Sequence, residues 1–94
     1  MINKFLSDFT IFSMNNNCVD ILEYMINKYH DEIEETIKYE IITIYNNNIH
    51  LEVVNLIAKT YPEIDCFDFD FYYKLVRNNN IVVLKYMFDN FDHD

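Results

Sequence analysis

The chain has 94 residues, no glycine, one proline and two cysteines; 51% of its residues are hydrophobic, and the formal charge is −9. That length fits one domain, and seven scattered Lys and Arg against sixteen Asp and Glu exclude the clustered cations that nucleic acid or an anionic membrane would need. No apolar run reaches the ~18 residues of a membrane span, and a chain without glycine has no phosphate-cradling Gly-rich loop.

The opening "MINKFLSDFTIFSM" holds Asp8 inside its apolar part and lacks a small-residue cleavage site, so no signal peptide is expected. Phe5, Phe9 and Phe12 stand at i, i+4 and i+7, which predicts a helix over about 3–13. An asparagine triplet opens "NNNCVDILEYMINKY" (15–29), and the apolar run behind it predicts a second helix over about 18–29. Ile37, Ile41 and Ile44 restore the first spacing and predict a helix over about 34–45. Another triplet begins "NNNIHLEVVNLIAKTY" (46–61), predicting a helix over about 50–61. Tyr72, Leu75 and Val76, after Phe69, predict one over about 67–77. The third triplet, in "NNNIVVLKYMFDNF" (78–91), leads into a helix over about 81–91.

One unit is therefore written three times. With shifts of 32 and then 30, Val19, Leu51 and Ile81 share a column. So do Ile21, Val53 and Val83; Leu22, Val54 and Leu84; Tyr24, Leu56 and Tyr86; Met25, Ile57 and Met87; Ile26, Ala58 and Phe88; Tyr29, Tyr61 and Phe91. The steps of 2, 1, 2, 1, 1 and 3 fit a helix with a wide buried face and do not alternate as a strand would. The shift of 32 also carries Phe5, Phe9 and Phe12 onto Ile37, Ile41 and Ile44, so the unit is a helix pair. The expected fold is all-α, with three antiparallel pairs over about 3–29, 34–61 and 67–91 in a single domain. The asparagines stand at the turns inside each pair, where Asn tolerates left-handed backbone and caps a following helix.

The unit resembles the ankyrin repeat family, whose period is near 33 residues and whose second helix opens with a G-H-L-E-x-V-x-x-L-L pattern. "IHLEVVNLI" (49–57) matches through His50, Leu51, Glu52, Val53, Val54, Leu56 and Ile57, while "NCVDILEYMI" (17–26) and "NNIVVLKYMF" (79–88) match more loosely. "YPEI" (61–64) and "YHDEI" (29–33) echo the family's G-A-D-[IV] segment. The T-P-L-H motif and every glycine are missing. The resemblance thus implies a short solenoid whose outer β-hairpins are absent or irregular. The degenerate, Asn-rich style is similar to ankyrin arrays of large DNA viruses and of some protists. In proteins of this kind, partners lie along the first helices and outer turns. Carried to this sequence, that surface comprises Glu34, Glu35, Lys38, Asp68, Asp70, Tyr73 and Lys74.

Little in the sequence points to catalysis or to a cofactor. Cys18 and Cys66 form no zinc or C-x-x-C spacing and read as small hydrophobes of a reducing, cytoplasmic compartment, the host cytoplasm if the source is viral. Ser7 and Ser13 have no motif that places a histidine beside them, and His30 and His50 read as surface or capping residues. Asp89, Asp92, His93 and Asp94 are candidate metal ligands by type, but at a chain end they read as a solvated terminus. No catalytic residue, metal or cofactor is expected.

Charge is distributed more informatively. Asp31, Glu32, Glu34 and Glu35, then Glu63, Asp65, Asp68 and Asp70, then Asp89, Asp92 and Asp94 place eleven of the sixteen acids at one edge of the stack. Such an edge serves helix dipoles, solubility or the docking of a basic protein segment. The function expected is protein–protein interaction. The alternative is a self-assembling structural protein: terminal repeats normally present a polar outer face, whereas Phe5, Leu6, Phe9, Ile11, Phe12, Met87, Phe88 and Phe91 are apolar. These side chains either leave an exposed end that forms homo-oligomers or fold back onto their own pair.

Overall fold

The computed structural model describes residues 4–43 and 48–91. Among them are five helices and no strand: α1 (Lys4–Asn15), α2 (Val19–Thr43), α3 (Leu51–Thr60), α4 (Phe69–Arg77) and α5 (Ile81–Asn90). Tyr29, at φ −129° and ψ 43°, breaks α2 into two helical segments. The break falls where the sequence predicts the end of the second helix. The third helical segment then begins directly after it, without the connection expected before residue 34. Acids at 31, 32, 34 and 35 favour an early start, since carboxylates complement the positive end of a helix. The predicted positions 44–45 lie outside the described residues.

α4 starts two residues later than the predicted 67. Asp68 is its N-cap, its carboxylate accepting the Phe71 N–H at 3.2 Å, and an N-cap is by definition the last non-helical residue. Asparagine behaves as expected in two turns: Asn17 (φ 55°) and Asn79 (φ 54°) are the described residues with left-handed backbone. Asn80 caps α5, accepting the Val83 N–H at 3.3 Å. Its column mate His50 stands at the N-cap of α3 but makes no side-chain cap bond. Asn46 and Asn47, of the second turn, lie outside the described residues.

The columns predict the core. Leu22, Met25, Ile26, Val53, Val54, Leu56, Ile57, Val83 and Met87 are buried, joined by Ile33, Ile37 and Ile41 from the second half of α2 and by Phe71 and Leu75 from α4. Each fully buried aliphatic side chain contributes roughly 1.5–3 kcal/mol relative to exposure. α1 packs on α2 and α4 on α5; α3 contacts α2 and α5, and α4 contacts α2. Hydrogen bonds tie positions one unit apart. Tyr61 donates to the His30 carbonyl at 2.6 Å, Asn80 Nδ2 to the Ile49 carbonyl at 3.0 Å, Tyr86 to Asn55 Oδ1 at 3.0 Å, and Lys74 Nζ to the Ile42 carbonyl. His50 Nε2 lies 3.4 Å from the Asn15 carbonyl.

α1 departs from the column reading. Phe5, Phe9 and Phe12 are 72%, 58% and 62% exposed, whereas Ile37 and Ile41, aligned with the first two, are buried. The inward face of α1 is Thr10, Ser13 and Met14, with Leu6 packed against the core from partial burial. Thr10 donates to the Leu6 carbonyl at 2.8 Å, and that bond offsets the cost of burying its hydroxyl. Small side chains let the helix sit close to α2. The buried stripe is therefore turned from the phenylalanine stripe by about one residue, 100° of helix.

Candidate functional site

The last turn of α2 meets α4 and the segment before it at a groove of about 350 Å³, lined by Ile41, Ile42, Cys66, Asp68, Asp70, Phe71, Tyr73, Lys74 and Arg77. Phe71 and Ile41 form its buried floor, while Tyr73 and Ile42 are exposed walls. Asp68 is fixed by its capping bond. The Lys74 ammonium bonds the Ile42 carbonyl, so its stem is buried across the groove. Asp70 and Arg77 are exposed at opposite ends of α4. Seven residues of helix separate them by about 10 Å.

Four of the seven residues predicted for a partner surface, Asp68, Asp70, Tyr73 and Lys74, line this one groove. Glu34, Glu35 and Lys38 stand on α2 outside its lining. Lys38 pairs with Asp65 at 2.6 Å; the bond holds the Lys38 amine above and the Asp65 carboxyl below their usual ranges. Lys38 offsets the charge of Asp65, and Glu34, Glu35, Asp68 and Asp70 remain on this edge together with the exposed Asp31, Glu32 and Glu63. Arg77 was missed by the sequence reading, although Asp70, Lys74 and Arg77 stand at i, i+4 and i+7 and so share a helix face.

Other reactive types are tied into the structure. Burial pushes the Cys66 thiol up to about 12, which keeps it protonated and unreactive; Cys18 is likewise a free thiol, half-buried. Burial first, and the carboxylates of Glu34, Asp31 and Glu32 after it, raise the Tyr61 hydroxyl to about 12. His30 Nδ1 lies 2.9 Å from Asp31 Oδ1, and its ring packs against Tyr61 with centroids 4.4 Å apart. The Asp31 bond raises the His30 pKa above 6.5. Ser13 is buried on the inner face of α1. Among the described residues no group of three His, Cys, Asp or Glu could hold a metal ion. Asp92, His93 and Asp94 lie outside them. No helix among the described residues is long and apolar enough to cross a membrane.

Comparison with known proteins finds no matching family model, no matching curated protein and no matching solved structure.

Proposed function

We propose that the chain is a protein-binding module, an ankyrin-like solenoid of three stacked helix pairs that acts by binding alone. The groove between α2 and α4 would receive a segment of a partner protein. The observation that carries this reading is the composition of that groove: exposed Tyr73 and Ile42 beside Asp68 and Asp70. Aromatic side chains anchor interfaces at low entropic cost, and the carboxylates select a cationic partner. Glu34 and Glu35 extend the negative field beyond the groove, and Arg77 marks its far end. The partner segment is thus basic where it meets Asp68 and Asp70 and polar or acidic about 10 Å further along, the distance that seven helical residues span. Free cysteines suit a reducing, cytoplasmic setting.

The test is selection of peptides from a random display library on the 94-residue chain. The comparison protein is the triple variant Asp68→Asn, Asp70→Asn, Tyr73→Ala; asparagine at 68 keeps the helix cap. Lys- and Arg-containing peptides that bind the parent and lose at least tenfold in affinity on the variant support the reading. Peptides that bind both equally, or a parent that enriches none, overturn it.

A further inference from the structure

We infer that a second copy of this chain binds head to tail, the outer flank of its third helix pair lying over the outer flank of the first. This rests on the stacked-pair reading but not on the groove, which lies on another surface.

Column mates show which flank of each pair faces which neighbour. Tyr86 reaches back to Asn55 in the preceding unit. Its column mate Leu56 is buried, and so are Val53 and Val83 in the column beside it. That flank is covered whenever a unit precedes. In the first pair the same two columns hold Ile21 and Tyr24, which are 56% and 63% exposed. The flank toward the following unit shows the converse: Ile26 is buried, Ala58 half-buried, and Phe88, in the last pair, 58% exposed.

The first helices agree. On α1 the half-buried Ser7 and Ile11 point to the flank opposite Phe5, Phe9 and Phe12 at 100° per residue, so the phenylalanines share the outer flank with Ile21 and Tyr24. On α4 the groove face carries Asp70, Lys74 and Arg77, and the opposite flank carries Val76, 63% exposed. Tyr72, on that same flank, stacks on Phe88 with centroids 5.6 Å apart. Among the described residues, the outer flanks of the first and third pairs are thus apolar surfaces whose counterparts in the other units are covered.

Magnitudes fit a reversible contact. With about 150–250 Å² for a whole aromatic side chain, the five exposed side chains of the first pair present roughly 600 Å². That is at the top of the range for the largest patch on a monomer and somewhat short of the ~800 Å² per partner of a standard interface. Each copy carries a charge of −9, so copies repel at low salt. A face that meets a different face does not close on itself, so copies add in open arrays.

Sedimentation velocity tests this on the 94-residue chain from about 10 μM to about 1 mM, the range expected of an interface below standard size. The expected result is a weight-average mass that at least doubles with concentration and rises further with salt, because salt screens like-charge repulsion. Two variants identify the faces: Phe9→Glu with Tyr24→Glu, and Val76→Glu with Phe88→Glu. Each alone should be a monomer, whereas an equimolar mixture should form dimers and stop there, since one intact face of each kind remains. Far-UV circular dichroism checks folding; if a pair of substitutions lowers helicity, Tyr24→Glu and Val76→Glu are used singly. A parent that stays monomeric at every concentration overturns the inference. So does a Val76/Phe88 variant that still dimerises, or a mixture that stays monomeric while the parent associates. Peptide binding in the groove should be the same for both variants and the parent.

Discussion

Replacing each asparagine of "NNN" (78–80) by glycine should give three different results, because the three residues do different work. Asn79 has φ 54° and is exposed. Glycine adopts that backbone without strain, and the relief offsets the ~0.4–1 kcal/mol of extra unfolded-chain entropy; Asn79→Gly should stay within about 0.5 kcal/mol of the parent. Asn78 has φ −92° and its amide donates to the Lys74 carbonyl at 3.0 Å. Losing one hydrogen bond of about 0.5–1.5 kcal/mol and adding chain entropy makes Asn78→Gly cost ~1–2 kcal/mol. Asn80 both caps α5 and bonds Ile49 in the neighbouring unit. The cap itself is worth only a few tenths against glycine, but with the second bond and the entropy the total is ~1–3 kcal/mol. Asn79→Val should cost ~1–2 kcal/mol, the left-handed penalty of a β-branched residue that lacks the short polar side chain by which asparagine tolerates this backbone. Urea unfolding measures these differences, and for a chain of this size 1 kcal/mol moves Tm by about 4–8 °C. Equal losses at all three positions, or an Asn79→Val that melts like the parent, would refute the assignment of the left-handed turn.

Three further outcomes follow from the core and the titrating groups. Val54 is fully buried in the central unit, so Val54→Asp should cost at least about 3–5 kcal/mol, the usual loss from an unpaired buried charge, and far-UV circular dichroism should show a largely unfolded chain; a parent-like melt would refute the column. For His30, NMR titration should give a midpoint above 6.5 that falls in Asp31→Asn. Since the folded state raises this pKa, the stabilisation is complete below 6.5 and is lost as pH rises through the raised value; the parent's advantage over Asp31→Asn in urea should shrink over that window, and an advantage that grows there would contradict the pairing. Cys66, buried and with its thiol pushed up to about 12, should be alkylated only as fast as the protein opens, so urea should accelerate its labelling.

The second helices were legible because each carries its apolar residues in the same order, and one backbone geometry buries them alike. Columns cannot show where a stack ends. Ile21 and Tyr24 have buried or half-buried counterparts in the other units and are exposed themselves, with none of the described units packed over them. Exposed phenylalanines on α1 are one of the two outcomes the sequence leaves open, but its inner face is not legible, because a count of apolar residues passes over Thr10 and Ser13. Tyr29 ends a helix without glycine or proline, so the break at φ −129° was placed correctly from the column but the immediate resumption of helix was not. Of the candidate site, the acids and Tyr73 could be read from charge clustering. The groove itself could not, since Ile41 and Ile42 reach it from a different part of the chain.

In the proposed function the α2–α4 edge recognises a basic segment through its charges. The association rate of a groove-selected peptide as a function of salt measures that recognition. It should be determined on the parent and on Glu34→Gln, Glu35→Gln, Asp68→Asn, Asp70→Asn combined. The variant keeps the Asp68 cap position as asparagine and leaves the buried columns intact, at a cost of roughly 1–4 kcal/mol from four helix-dipole interactions of about 0.3–1 kcal/mol each. The parent's rate should fall steeply as salt shortens the range of its field to about 8 Å at physiological ionic strength. The variant should bind at least tenfold more slowly at low salt, with little dependence on salt. Equal rates for the two proteins at low salt would contradict it.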